Sequence, residues 1–483
     1  MKLKIIVFIC FTFFLAGLLS VAAWPVQAEP AALTLNVNNS LVDAVDANPG
    51  DGVCETAVNN NVCTLRAAVM EANAWPGADT ILIPAGTYYL GLVATSFENN
   101  ALNGDLDLTD DVTIIGADEA ATIIDGNRSA SKARVFEIFE GVTVAMSHLT
   151  IRNGMNEPGP GIAGGIQNVK GSVSLTHVTL TDNSRGGLYN NGGTAVLDFV
   201  TYTNNFDNGA SLYNSGGGTM IVRNSVIAGN QQNGGGGGVW TEIGNLTMIN
   251  TTVSGNGGPD TSHGGGIFVA NGTATLINST ISANQTTASG GGVYVFQSTA
   301  NYPATLNLYN VTIANNTANT SGGNYTGGGI YVDTIYGFTP TVNVHNSIIA
   351  DNWLESIGGD DSDCYGPINS GGYNLIRTTT GCVINGVTTG NQYGVDPLLG
   401  HLANGGGFGK THTLKDGSPA IDAGNPLGCT DNLGALLLTD QRSYVRHVDG
   451  GSGAPRCDIG AYEYNAIPYD PPDYQVYLPY IQK

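Results

Sequence analysis

The sequence predicts an all-β fold in which the chain winds into a parallel β-helix, and three observations carry that prediction. First, one short phrase returns between Gly154 and Asn352, opening on glycine and an apolar–aromatic pair: Gly186-Gly187-Leu188-Tyr189, Gly238-Val239-Trp240, Gly266-Ile267-Phe268, Gly292-Val293-Tyr294 and Gly329-Ile330-Tyr331. Second, the phrase closes on two asparagines separated by five residues: Asn224 to Asn230, Asn250 to Asn256, Asn278 to Asn284, Asn310 to Asn316 and Asn346 to Asn352. From Asn183 the closing asparagines advance by 22, 25, 26, 28, 32 and 36 residues. Fixed phrases with inserts of variable length describe coils of a solenoid with loops on one side. Third, each phrase alternates with period two, with β-branched and aromatic residues between Gly, Asn and Ser punctuation, and no segment from Gly154 to Asn352 sustains a 3.6-residue period.

Parallel winding stacks equal positions on one another, which explains why equal residues recur. In Gly329 to Val332, Ile330 and Val332 point one way and Tyr331 the other. Asn224, Asn250, Asn278, Asn310 and Asn346 form one expected column, a ladder of amides that satisfies backbone groups at a bend and bonds coil to coil. His148, His177 and Phe199 fill the same column earlier in the chain, as stacked fillers, and His345 falls outside it. These coils resemble the repeats of the pectate-lyase-like superfamily, and that resemblance implies a single-stranded right-handed β-helix. It implies no one activity, because that fold hosts lyases, hydrolases, adhesins and inert surface proteins.

In chain order, residues 1–28 read as a secretion signal. Lys2 and Lys4 precede an apolar run from Ile5 to Ala23, and Val26-Gln27-Ala28 is a small-residue cleavage site. Cys10 lies inside the run, without a lipoprotein-type box before the cleavage point. No other stretch is apolar enough to span a bilayer, so no retained span is expected. Without Lys2 and Lys4 the bases number 15 against 39 acids, a net charge near −24. Such a surface repels nucleic acid and anionic membrane, which removes both as partners. Six cysteines remain, and fifteen pairings are open; the nearest-neighbour scheme joins Cys54 with Cys63, Cys364 with Cys382 and Cys429 with Cys457. A secreted context favours disulfides over zinc.

Residues 29–125 read as an N-terminal cap and first coils. Thr64 caps a helix running through Ala74, with Leu65, Val69 and Ala72 on one face to cover the open end of the solenoid. Thr80 to Tyr88 reads as an early coil. Cys63-Thr64-Leu65-Arg66-Ala67-Ala68 and Glu71-Ala72-Asn73-Ala74 resemble the N-terminal CSLREA domain of bacterial secreted β-helix proteins, and Gly104 to Leu108 and Ile124-Asp125-Gly126 continue the likeness. Ala67 replaces that family's Glu, so Arg66 needs another partner. The loop from Asp43 to Gly52 holds three carboxylates that could offer oxygens to calcium, without EF-hand spacing; beyond that no cofactor and no metal centre is expected.

Residues 126–395 are the β-helix repeats. Residues 396–464 change character: Asp396-Pro397-Leu398, Thr411-His412, Gly417 to Asp422, Asp440-Gln441-Arg442 and Cys457 to Ala461 resemble a choice-of-anchor (Q-type) domain, with Ser443 and His447 departing from its pattern. This region is the expected C-terminal cap, with Asp422, Asp458, Arg442 and Arg446 available for ion pairs. Residues 465–483 form a linker with Pro468, Pro471 and Pro472, then a tail from Val476 to Lys483 with no sortase-type motif.

Three functions compete. A lyase of acidic polysaccharide needs clustered cations, yet from Met155 to Ala350 only Lys170, Arg185 and Arg223 appear, one per distant coil. A glycoside hydrolase needs paired carboxylates. Asp360, Asp361 and Asp363 resemble a polygalacturonase aspartate cluster, but its Gly-His-Gly and Arg-x-Lys companions are missing, and His263 is not flanked by glycine on both sides. Asp182, Asp198, Asp207, Glu242, Asp260 and Asp333 do not share one column. The third reading is a secreted or cell-surface, non-catalytic, adhesin-like protein. Tyr189, Tyr213, Trp240, Phe268, Tyr294 and Tyr331 should line one outer face as a ladder of rings, a candidate surface for polysaccharide or another cell surface, against a purely structural stack worth ~0.5–1.5 kcal/mol per pair. This third reading is the expectation.

Overall fold

The computed structural model describes residues 31–38, 42–94, 98–155, 162–208, 212–319, 327–355 and 360–470. For Asn208, Asp360 and Asp361 it describes the backbone alone. The expected signal segment with Cys10, the tail from Pro471 and the side chains of Asp360 and Asp361 therefore lie outside the described residues.

The chain forms a right-handed parallel β-helix, with successive coils joined in one 32-stranded sheet. A typical coil has three short strands, as in Val239–Glu242, Asn245–Ile249 and Thr252–Ser254, each paired in parallel with its counterpart one coil on: Ile267–Ala270, Thr273–Ile277 and Thr280–Ser282. The alternation read from the sequence sets the inside. Ile267, Val269, Ala274, Leu276 and Ile281 are all fully buried in one continuous apolar core running the length of the helix.

Each coil has two corners that demand a left-handed residue. One is the opening-asparagine column: His148, His177, Phe199, Asn224, Asn250, Asn278, Asn310 and Asn346 have φ between 45° and 57°. Asparagine tolerates that region at low cost, which accounts for the composition. The other corner immediately precedes the closing asparagine, as at Asn204, Gly229, Ala283, Asn315 and Asp351.

The unbroken amide ladder runs through the closing column. Asn205, Asn230, Asn256, Asn284 and Asn316 each donate Nδ2 to the next Oδ1 at 2.8–3.1 Å. The same oxygens take the preceding residue's backbone N–H at 3.0–3.1 Å. Asp363 ends it, accepting from Asn352 Nδ2 at 2.9 Å and from Thr378 N at 2.7 Å. An acceptor-only group suits a terminus that has nothing further to donate to, and burial raises its pKa to about 6. The ladder expected in the opening column is interrupted instead. Asn224–Asn250 and Asn310–Asn346 are bonded, while Asn278 and Asn310 donate to Thr439 O and Thr430 O of the C-terminal region.

The opening glycines from Gly238 onward follow from the ladder, while at Gly187 the Tyr202 ring takes the place of the asparagine. A Cβ on Gly266 would lie 2.7 Å from Gly292 O and 2.9 Å from Asn284 Nδ2, and Gly238 and Gly292 meet the same pair of atoms one coil away. The ladder and the neighbouring coil leave no room for a side chain.

The N-terminal helix α1 (Leu65–Ala74) forms as read, with Thr64 Oγ1 accepting from Ala67 N at 3.1 Å. It seats Leu65, Val69 and Ala72 on the first strands and closes that end of the core. Arg66, fully buried, pairs with Asp43 at 2.7 Å and donates to the carbonyls of Ala101, Gly104 and Asp105. Asp43 is thereby committed to Arg66 and to the N–H groups of Gly91 and Leu92. The other loop carboxylates, Asp46 and Asp51, bond their own loop. The disulfides are Cys54–Cys63, Cys364–Cys382 and Cys429–Cys457, the nearest-neighbour scheme.

The C-terminal region extends along a flank of the helix, from the coil of Thr252 to that of Gln392. Lys410 O accepts from Thr252, Gln441 Oε1 from Thr280, and Pro419 O from Gln392. Arg446, fully buried, donates to Asn278 Oδ1 at 2.7 Å and pairs with Glu463. Among the described residues no helix is long and apolar enough to cross a membrane.

Asn284→Ala removes two donated and two accepted bonds inside a dry core and should cost about 2–4 kcal/mol. Asn224→Gly preserves the left-handed corner and should cost under about 1 kcal/mol. Denaturant unfolding of the two variants measures the difference, and equal losses would contradict the assignment of the ladder.

Candidate functional site

Register places the aromatic candidates in one column: Tyr189 over Tyr213, then Trp240, Phe268, Tyr294, Tyr331 and, beyond the expected set, Tyr365. Centroids are 4.7–5.3 Å apart, with most pairs stacked and Phe268–Tyr294 edge-on. The rings point away from the core; Tyr213, Tyr294 and Tyr331 are only 5–6% exposed, Tyr189, Trp240 and Phe268 are partly buried, and Tyr365 at the end of the column is 38% exposed. His263, with its pKa lowered by burial, lies against Phe268 and edge-on to Tyr294. Ring faces in this column are turned to one another along the axis, so a sugar, which needs a face, meets mainly edges. Three hydroxyls are also engaged: Tyr189 accepts from Ser215, Tyr213 donates to Glu242 and Tyr294 to Asp333, and burial together with those carboxylates raises the pKa values of Tyr213 and Tyr294.

The remaining catalytic candidates are dispersed. Asp363 is the fully buried ladder terminus. Asp360–Asp361 pairs its backbone antiparallel with Trp353–Leu354. Asp198 accepts from Asn224, Asp207 from Ser184, and Lys170 pairs with Glu140 on the surface.

A cleft of about 400 Å³ opens where the C-terminal region meets the left-handed column, and nothing local in the sequence signals it. One wall is His177, Phe199, Asn224 and Asn250; the other includes Phe408 and Arg442. His177 stacks on Phe199 at 5.0 Å, and Phe408 meets Phe199 edge-on at 5.6 Å. Arg442 is held between the rings of Tyr444 and Tyr462 and bonded to Asp440, so its guanidinium is already engaged. Asn250 gives its Nδ2 to Asn224, while its Oδ1, buried, has no partner. Among the described residues no carboxylate lines the cleft. It offers aromatic surface edged by amides that are already bonded within the protein.

The aromatic column has a polar beginning that the sequence reading missed. Asp107, Glu137 and Gln167 occupy its first three positions, in register with Tyr189. The alternation of Asp107 between inward Leu106 and Leu108, and of Glu137 between Phe136 and Ile138, was the available signal. With Asp105 these carboxylates form a close group, braced by Arg134 at 3.1 Å from Asp105 and 3.0 Å from Glu137. Asp107 is fully buried; its Oδ2 accepts from Ala101 N and its Oδ1 has no partner. Burial first, then the charge of Asp105, raises its pKa to about 8, and Asp105 itself rises to about 6.

A raised carboxyl pKa means that the folded state holds the proton more tightly. The stability contributed by Asp107 is complete below about pH 4 and is lost as pH climbs towards 8. Asp107→Asn, neutral at every pH, should raise Tm at pH 8 by about 2–4 °C and change it little at pH 4. A pH-independent shift in thermal melting would contradict this.

Residues 161–334 match the family model described as right handed beta helix region. No curated protein matches. Similar solved structures include the catalytic domain of a GH87 alpha-1,3-glucanase in complex with tetrasaccharides, at 15% identity and TM-score 0.40, covering 72% of this chain and 71% of that one. A pectate lyase is 12% identical at TM-score 0.40, covering 90% and 98%, and a rhamnogalacturonan lyase 13% identical at TM-score 0.35, covering 77% and 92%. No activity is carried across from them. Matched segment and strand register together establish a right-handed parallel β-helix.

Proposed function

We propose that this is a secreted or cell-surface, non-catalytic β-helix protein that binds a neutral glycan in the cleft between its coils and its C-terminal region. The observation that carries the reading is a cleft walled by the rings of Phe199 and Phe408, where the C-terminal region overhangs the coils. Phe199 and Phe408 supply apolar surface for the faces of a sugar ring, while the amides of Asn224 and Gln441 are bonded within the protein. The ligand is neutral because Arg442, the cation of the lining, is neutralised by Asp440 at 2.6 Å. Hydrolysis needs a carboxylate pair at the ligand, and the described lining has none.

Secretion accords with the signal-like segment before Ala28 and with three disulfides, which persist in oxidising compartments. The likenesses to a CSLREA domain at Cys63 to Ala74 and to a choice-of-anchor domain at 396–464 support an exported, surface-associated protein. A glycan array on the purified chain should give signal with neutral oligosaccharides. Phe408→Ala and Asn250→Gly should each lower affinity about tenfold or more, since one buried hydrogen bond or ring contact is worth ~1–1.5 kcal/mol. Unchanged binding in both variants, or release of reducing ends from polysaccharide, would refute the reading.

A further inference from the structure

The two ends of the helix are finished differently. At the first coil, α1 lies across the core. At the last, Cys382–Val387 pairs in parallel with the strand Cys364–Gly371 on one side, and among the described residues no strand pairs with its other edge. Val383, Val387 and Tyr393 are 56%, 54% and 40% exposed, and the inward-facing Ile384 is only half-buried. The bond from Gly366 N to Gly381 O fixes the alternation of this pair, turning the amide of Ile384 towards the free edge.

Proteins ordinarily blunt such an edge with lysine, proline or a covering element. Here the stretch from Thr378 to Val395 contains no charged residue and no proline. The chain as a whole carries a net charge of −22. Two copies therefore repel across most approaches, and this uncharged end is where they meet at least electrostatic cost. A basic partner would instead be drawn to the acidic faces.

We propose that this end is an interface between two copies of the chain, with Cys382–Val387 pairing antiparallel to itself about a two-fold axis at Asn385. In that register Val383 of each copy faces Val387 of the other, and Ile384 lies opposite Gly386, whose lack of a side chain permits close approach. The coils of the two copies then run coaxially, and the half-buried Ile384 gains cover. The contact is isologous and the opposite end is closed by α1, so assembly stops at two.

Sedimentation velocity of the purified full chain across micromolar concentrations tests this. The wild type should sediment as a dimer. Val383→Lys with Val387→Lys sets like charges opposite one another and should weaken association at least a hundredfold. Val383→Lys with Val387→Glu pairs opposite charges in the same register and should restore the dimer. Both positions are more than half exposed, so each variant should melt as the wild type does. A monomeric wild type, a Lys/Lys dimer as tight as the wild type, a Lys/Glu variant no tighter than the Lys/Lys one, or open-ended polymers would each overturn the proposal. Glycan binding by a monomer would leave the cleft reading intact, so the two fail separately.

Discussion

Winding a chain in parallel forces polar backbone into a dry interior at every corner, and the rest of this structure depends on how those corners are satisfied. The solution is the closing asparagine. Its amide reaches a carbonyl of the previous coil, as Asn284 does to Val253 O at 3.0 Å, and passes a second bond to the asparagine above. Its oxygen takes the backbone and side-chain donors from below. Because the amide fills the corner, the residue facing it must be glycine, which is why the phrases at Gly238, Gly266, Gly292 and Gly329 open as they do. The glycines and the closing asparagines of the repeat are one steric and hydrogen-bonding device.

Most of the fold was legible because the device repeats. Identical spacing between corners and strands reports stacking directly, and the aromatic column follows from register alone. The helix from Leu65 to Ala74 was legible from its capping threonine and apolar stripe. The two asparagine columns were harder to tell apart, because one residue type serves two physical ends. In the opening column asparagine is favoured for its left-handed backbone, at φ 46–56° for Asn278 and Asn310. In the closing column it is required for its amide. Sequence records the residue and not the reason.

The flank was not legible for a different reason. Its contacts join residues more than a hundred positions apart: Ser282 with His412, Asn346 with Asp458, Thr312 with Ala461. Nothing periodic marks such pairs. The region is instead held by a buried polar network in which Arg446, Asp458 and Glu463 meet; burial raises the pKa of both carboxylates, and the charge of Glu463 adds to the rise at Asp458. Such a network specifies a position rather than a period, and the cleft, which exists only because of that position, was equally hidden.

The same left-handed column explains why the cleft lies where it does. Asn278, Asn310 and Asn346 turn their amides outward at the corner and serve as a rail on which the C-terminal region docks through Thr439 O, Thr430 O and Asp458 O. Further towards the N-terminus the column changes to Phe199, His177 and His148, which offer ring surface in place of amide donors. The docked region continues past the last outward-bonded asparagine as far as Phe408, so it overhangs rings instead of sitting on amides. Asn250 stands at that transition, its amide turned back to Asn224 and its oxygen left without a donor. One column required by backbone geometry thus builds both the joint that fixes the flank and, where its residue type changes, the aromatic wall beside it.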